Sequence, residues 1–226
     1  MLVKIVSENG FIDKSIAWVI DHPGCFAYGE DDKEAILRVP QALVAYQEWI
    51  GKHTDESWLS DLGDFDVRLT EALEKPANGS PSRDWFQFDA QPLTQVEVEQ
   101  GIKLLGWSRA DLLDIVLSFS DKELDQTFEG ERWSMRGIVG HIADAETWYL
   151  EQLGLTVGIK EHLAEDVFAR LEQVRQRTSE VLPLLAGNAE IHKKGQSTWS
   201  GRKFLRRAAW HEMDHIGHIL KLMMQM

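Results

Sequence analysis

Cysteine is almost missing from this chain of 226 residues: Cys25 stands alone, so no disulfide can close within it and no thiolate cluster can hold a metal. Any bound ion must therefore be held by His, Asp or Glu, and a cytoplasmic setting is expected. Long apolar runs are missing too. No stretch approaches the roughly 18 apolar residues of a membrane span, and the opening MLVKIVSENGFIDKSI lacks the apolar block of a secretory leader. The expectation is a soluble protein with no membrane partner. Basic residues are scarce, 24 Lys and Arg against 37 Asp and Glu for a net charge of -13, which argues against a sequence-independent grip on nucleic acid. What is present supports a real core, with 43% hydrophobic residues and 9% aromatic. The nine tryptophans are read first as core and helix-packing residues, and second as walls of a small-molecule pocket.

The first 75 residues read as strand, strand, strand, helix, strand. Leu2, Val3, Ile5 and Val6 start the first strand, with Gly10 as a turn; Ile16 to Ile20 form the second, and His22-Pro23-Gly24 breaks it before Cys25-Phe26-Ala27-Tyr28. Asp31 or Asp32 can cap a helix carrying Ala35, Ile36, Val39, Leu43, Tyr46 and Ile50 at helical spacing, with Pro40 expected to kink or delay it. Phe65, Val67 and Leu69 alternate with charged residues as a half-buried strand.

Within this region His22-Pro23-Gly24-Cys25-Phe26-Ala27-Tyr28-Gly29-Glu30, followed by Glu34-Ala35, resembles the central signature of the HicB-like domain. The resemblance implies a small α+β unit over residues 1–75 with βββαβ order. It also implies a protein-interaction role, commonly as an antitoxin paired with an RNA-cleaving partner.

Residues 76–92, rich in Pro, Gly, Ser and Asn without any period, read as a linker. From 93 to 226 helical periodicity takes over, near 94–118, 134–152, 163–186 and 200–224, which predicts an all-α four-helix bundle. Trp133-Ser134-Met135-Arg136 and Trp199-Ser200-Gly201-Arg202 repeat one pattern, each serine placed as an N-cap. Leu163, Val167, Leu171, Val174, Thr178, Val181, Leu182 and Leu185 lay a continuous stripe along the third helix.

The densest chemistry lies in His211-Glu212-Met213-Asp214-His215, whose histidines, four apart on a helix, can share one ion. This is literally H-E-x-x-H, the zinc-protease motif in which the glutamate activates a metal-bound water. The extended form of that motif needs Gly and His where His218 and Lys221 stand, and no distant glutamate ligand is expected before Met226. The third ligand is then sought upstream, and His141 is the candidate. It lies seven residues after Ser134, while His211 and His215 lie eleven and fifteen after Ser200, so all three fall on equivalent faces of their helices. Read singly, His141 is equally a buried core histidine and 211–215 an exposed polar face.

Trp133-Ser134-Met135-Arg136-Gly137-Ile138-Val139-Gly140-His141-Ile142-Ala143-Asp144-Ala145-Glu146 and His211-Glu212-Met213-Asp214-His215-Ile216-Gly217-His218-Ile219 together resemble the DinB-like (YfiT-like) superfamily. The resemblance implies a metal held by one histidine of the second helix and an H-x-x-x-H pair of the fourth, here His141, His211 and His215. Histidine ligation suits Zn, Ni, Fe or Mn and leaves coordination positions open to substrate. Asp144 and Asp214 are candidates to orient ligand rings, Glu212 or Asp144 to accept a proton, His218 to be a fourth ligand, and Trp148 or Trp210 to wall the pocket. The activity implied is that of a metal-dependent S-transferase using a low-molecular-weight thiol, or of a hydrolase, acting on a small molecule and often as a homodimer. The alternative is a non-catalytic, metal-stabilised binding or dimerisation module beside the HicB-like domain.

Overall fold

The alternating apolar residues at the start of the chain pair into a four-stranded sheet of order β3-β2-β1-β4, built from β1 (Leu2–Phe11), β2 (Lys14–Val19), β3 (Phe26–Gly29) and β4 (Asp66–Leu73). The computed structural model describes residues 1–11, 14–56, 58, 63–74, 85–156 and 162–226. These form two units, Met1–Ala90 with Gly195–Thr198, and Gln91–Lys194 with Trp199–Met226.

In the first unit β1 runs antiparallel to β2 and parallel to β4, and the element order is β-β-β-α-β. The turn after β2 follows from its residues: Pro23 presets the first corner, Gly24 takes φ 88°, and Cys25 N–H closes on the His22 carbonyl at 2.9 Å. Gly29 ends β3 because a Cβ there would stand 2.2 Å from the Ala35 nitrogen, inside the first turn of α1 (Asp32–His53). Asp31 caps α1 by accepting from Glu34 N–H. Ala35, Val39, Leu43, Tyr46 and Ile50 form its buried stripe.

Two expectations change here. Pro40 does not delay α1, which runs through it unbroken; its ring is exposed, so the carbonyl it leaves unpaired lies on the solvent side, where water can satisfy it. Gly10 does not end β1 but sits at φ 73° inside it, where the pairing with β2 slips between Glu8 and Phe11. On β4 the register to β1 also slips, and Thr70, the extra residue, donates its hydroxyl to the Ile5 carbonyl at 2.9 Å.

Of the expected linker, residues 76–84 lie outside the described residues. Gln87–Ala90 form a 3-10 turn anchored by fully buried Phe86, whose N–H donates to Asp89. A polar, aperiodic stretch says nothing of such an anchor, because one buried ring has no period.

The second unit is carried by α2 (Gln95–Val116), a short α3 (Asp121–Leu124), α4 (Met135–Gln152), α5 (Val167–Val181) and α6 (Gly201–Met223). Caps set their starts. Ser134 accepts from Gly137 N–H at 3.2 Å and Ser200 from Lys203 N–H at 3.1 Å, as the repeated pattern predicts. The arginines of the repeat are also equivalent. Arg136 reaches Asp121 in the first turn of α3, and Arg202 reaches Glu97 in the first turn of α2. The third long helix starts at Val167 rather than 163, because Asp166 caps it on Ala169 N–H. It gives way at Leu182 to a 3-10 turn over Leu182–Leu185, since Pro183 lacks the N–H that an α-helix needs.

The bundle core has two apolar layers. One contains Leu105, Leu150, Val174, Phe204 and Leu205, the other Leu112, Ile138, Ile142, Leu171 and Ile219. Between them lies a network of four buried charges: Arg109 from α2, Glu146 from α4, Arg175 from α5 and Glu212 from α6. Glu146 accepts from Arg175 Nε at 2.9 Å and Thr178 Oγ1 at 2.6 Å; Glu212 accepts from Ser108 Oγ at 2.6 Å and Arg109 Nη2 at 2.7 Å. Arg175 also bridges to Glu212 at 3.0 Å. Within this network two cations and two anions cancel, which is the condition under which buried charge is tolerated. No helix among the described residues is long and apolar enough to cross a membrane.

Candidate metal centre

The cap offsets turn His141 on α4 and His211 and His215 on α6 toward one another. One ring nitrogen from each lies within 4.8 Å of those of the others, and the Nε2 atoms of His141 and His211 are 3.2 Å apart. His211 and His215 are buried and His141 is half-buried. The edge between two nitrogens bound tetrahedrally to one ion is about 3.3 Å when each bond is about 2.05 Å, so the observed spacing fits a shared cation. His215 Nδ1 is buried without a hydrogen-bond partner among the described residues, as expected where ring nitrogens are set aside from the protein's own hydrogen bonding.

The electrostatics favour neutral rings. Burial pushes His211 down to about 3, helped by its imidazole neighbours, and His215 to about 4 for the same reasons. Burial lowers His141 as well, with Asp144 opposing the shift and Arg132 adding to it. At neutral pH all three rings therefore offer lone pairs, the form that binds metal.

Trp133 stacks on His141 with centroids 4.4 Å apart and 21° between planes, and the Arg132 guanidinium sits 4.5 Å from the same indole. Its site role was not read from the sequence. The available signal was its place just before the cap, two helical turns ahead of His141. A cleft of about 450 Å³ opens beside His141, bordered by Trp133, Gly137, Gly140, Asp144 and Arg170. Gly137, Gly140, His141 and Asp144 follow the i, i+3, i+4, i+7 pattern of one helix face, so α4 presents a histidine, an acid and two glycines to the same space.

The remaining candidates fall as follows. Asp144 is exposed on the cleft face, 3.3 Å from Arg170. Glu212 is directed into the charged layer of the core, where Ser108, Arg109 and Arg175 engage both of its oxygens. Both oxygens of this glutamate of the H-E-x-x-H run are thereby engaged within the core. His218 lies outside the three-histidine group and pairs with Glu131 at 2.8 Å. Asp214 is half-buried on α6. Trp210 is buried with its ring 5.6 Å from that of His211, while Trp148 is 44% exposed and meets Trp199 edge-on at 5.2 Å.

A family model, the DinB superfamily, matches residues 104–219, which contains α4, most of α6 and all three histidines. The chain belongs to the DinB superfamily. Among solved structures it is similar to YfiT from Bacillus subtilis, described as a probable metal-dependent hydrolase with an unusual four-helix bundle topology. That likeness has 20% identity, covers 60% of this chain and 90% of the other, and has a TM-score of 0.48. No curated protein matches.

Proposed function

We propose that this protein is a divalent-metal-dependent enzyme acting on a small molecule, a hydrolase or a thiol-dependent S-transferase, with His141, His211 and His215 as the metal ligands. The observation that carries the reading is the convergence of three neutral imidazoles within 4.8 Å beside an open cleft. A divalent ion held there would supply Lewis acidity and lower the pKa of a water or thiol at neutral pH. The chain's own residues do the rest. Trp133 fixes the plane of the His141 ring by stacking, and α6 holds His211 and His215 one turn apart. Asp144, exposed on the cleft face one turn from His141, accepts the proton released by the attacking group at its carboxylate. Glu212 and Glu146 keep the helices in register through the guanidiniums of Arg109 and Arg175. The first unit is proposed to be a HicB-like protein-interaction domain, a reading supported by its β-β-β-α-β order and by the turn at His22-Pro23-Gly24 before β3.

The test is metal content followed by turnover. Purified protein should carry one divalent ion per chain, and His141→Ala, His211→Ala or His215→Ala should each abolish that stoichiometry. His218→Ala should retain it, because its imidazole is committed to Glu131. Hydrolysis of ester and amide substrates, and transfer of labelled low-molecular-weight thiols to an electrophile, are then measured before and after chelation. Retained metal in all three alanine variants would refute the ligand set, and turnover indifferent to chelation would refute the chemistry.

A further inference from the structure

Arg170, on the second turn of α5, faces the cleft beside His141 with 20% of its side chain exposed. Its donors are unevenly used. Nη1 donates to the carbonyls of Ala164 at 3.2 Å and Glu165 at 3.4 Å, just ahead of the helix, and this fixes the guanidinium plane. Nε is closed off from solvent and makes no hydrogen bond among the described residues. Asp144 Oδ1 lies 3.3 Å from it, close enough for charge attraction but outside hydrogen-bond geometry. Nη2 lies against α4 at Gly140, where a Cβ would stand 3.4 Å away. The pair of donors left over, Nε and Nη2, is the side of a guanidinium that grips a carboxylate through two parallel hydrogen bonds.

The other cation bordering the cleft is already committed. Arg136 donates Nε to Asp125 at 2.7 Å and Nη2 to Asp121 at 2.6 Å. Asp144, by contrast, is 67% exposed and accepts no hydrogen bond among the described residues, so it can yield its place. Gly140 lets the Arg170 guanidinium and Val167 lie close against α4, and Gly137 does the same for Trp133, so that Arg170, Trp133 and His141 border one cleft.

We propose that Arg170 is the substrate clamp of this centre and selects small molecules bearing a carboxylate, which its Nε and Nη2 hold while the reactive group reaches the three histidines. The proposal rests on the metal-centre reading above for the reactive end; the clamp itself is built from Arg170, Gly140 and Asp144. A ligand carboxylate takes the position of Asp144 at Nε, completes the bond that Nε lacks, and frees Asp144 toward the reacting group.

The experiment uses the full chain loaded with Co²⁺ and two probes differing at one end, 3-mercaptopropionate and 3-mercaptopropionamide, followed by the thiolate-to-cobalt charge-transfer band. The acid should bind about 10-fold or more tightly than the amide, the worth of a charge-assisted pair. Arg170→Met should bring the two probes to parity with cobalt stoichiometry unchanged, Arg170→Lys should keep part of the preference, and Gly140→Leu should weaken both. Equal binding of acid and amide by the parent protein, or a preference that survives in Arg170→Met, overturns the clamp. A parent protein that takes up no cobalt overturns the metal-centre reading instead. The clamp is then decided on metal-free protein by ligand-observed NMR, where propionate but not propionamide should show binding that Arg170→Met removes, and equal signals overturn it.

Discussion

Replacing Glu212 with glutamine separates its two readings, as a base beside the metal and as a structural anchor. In the structure its carboxylate accepts from Ser108 at 2.6 Å, from Arg109 Nε at 2.9 Å and Nη2 at 2.7 Å, and from Arg175 at 3.0 Å, with 1% of the residue exposed. Glutamine keeps the shape but removes the charge, leaving two buried guanidiniums facing the single carboxylate of Glu146. Its amide nitrogen also turns a donor toward donors. Breaking a buried pair this way costs about 3–5 kcal/mol. For a chain of this size that lowers Tm by roughly 6–20 °C, at about 2–4 °C per kcal/mol. Urea and thermal unfolding followed by circular dichroism measure it, on protein stripped of metal so that binding does not mask the loss. A second variant gives the control: replacing Arg109, Glu146, Arg175 and Glu212 together with apolar residues of similar volume should recover most of that stability, because no charge remains stranded. If Glu212→Gln loses activity while its stability changes by less than about 1 kcal/mol, well below the cost of a broken buried pair, Glu212 is a base and the anchor argument is wrong.

Acid should destabilise the metal-free protein in two stages. The histidines come first: their folded-state affinity for protons is depressed to about 3 for His211 and about 4 for His215, so the unfolded chain binds protons more readily and stability falls as pH drops below about 6.5 toward those values. Glu146 follows. Burial alone would raise it, but the Arg175 and Arg109 charges outweigh burial and bring it to about 2, so its contribution is complete above about 4.5 and is lost on the way down. Stability that is flat between pH 7 and 4 would contradict the first stage. Ser200→Ala should cost about 1 kcal/mol by removing the acceptor for Lys203 N–H, measured by urea midpoint, and Ser200→Gly only a few tenths. Trp133→Ala should leave metal stoichiometry intact but weaken affinity, because His141 loses the ring that holds its plane; unchanged affinity by competitive chelation would refute that role.

The sequence by itself determined the helices, their caps and which faces carried histidine, because these are local properties. Ser134 and Ser200 set the phase of α4 and α6, and a fixed helical period then turns His141, His211 and His215 to equivalent faces. The element order of the first unit was legible for the same reason, from period-two alternation and a Pro-Gly turn, whereas the sheet order β3-β2-β1-β4 was not. Only the tertiary structure decided what shares space across helices. Arg109, Glu146, Arg175 and Glu212 are separated by tens of residues, and each taken alone reads as a solvated charge, yet they close one buried network. That network takes up both oxygens of Glu212, the glutamate of the H-E-x-x-H run. Likewise Arg170 looks like a surface cation until α5 packs against α4 and Gly140 lets its guanidinium lie against that helix at the cleft. A sequence fixes directions around one helix axis, whereas the meeting of two side chains depends on how separate axes cross, and only packing sets that.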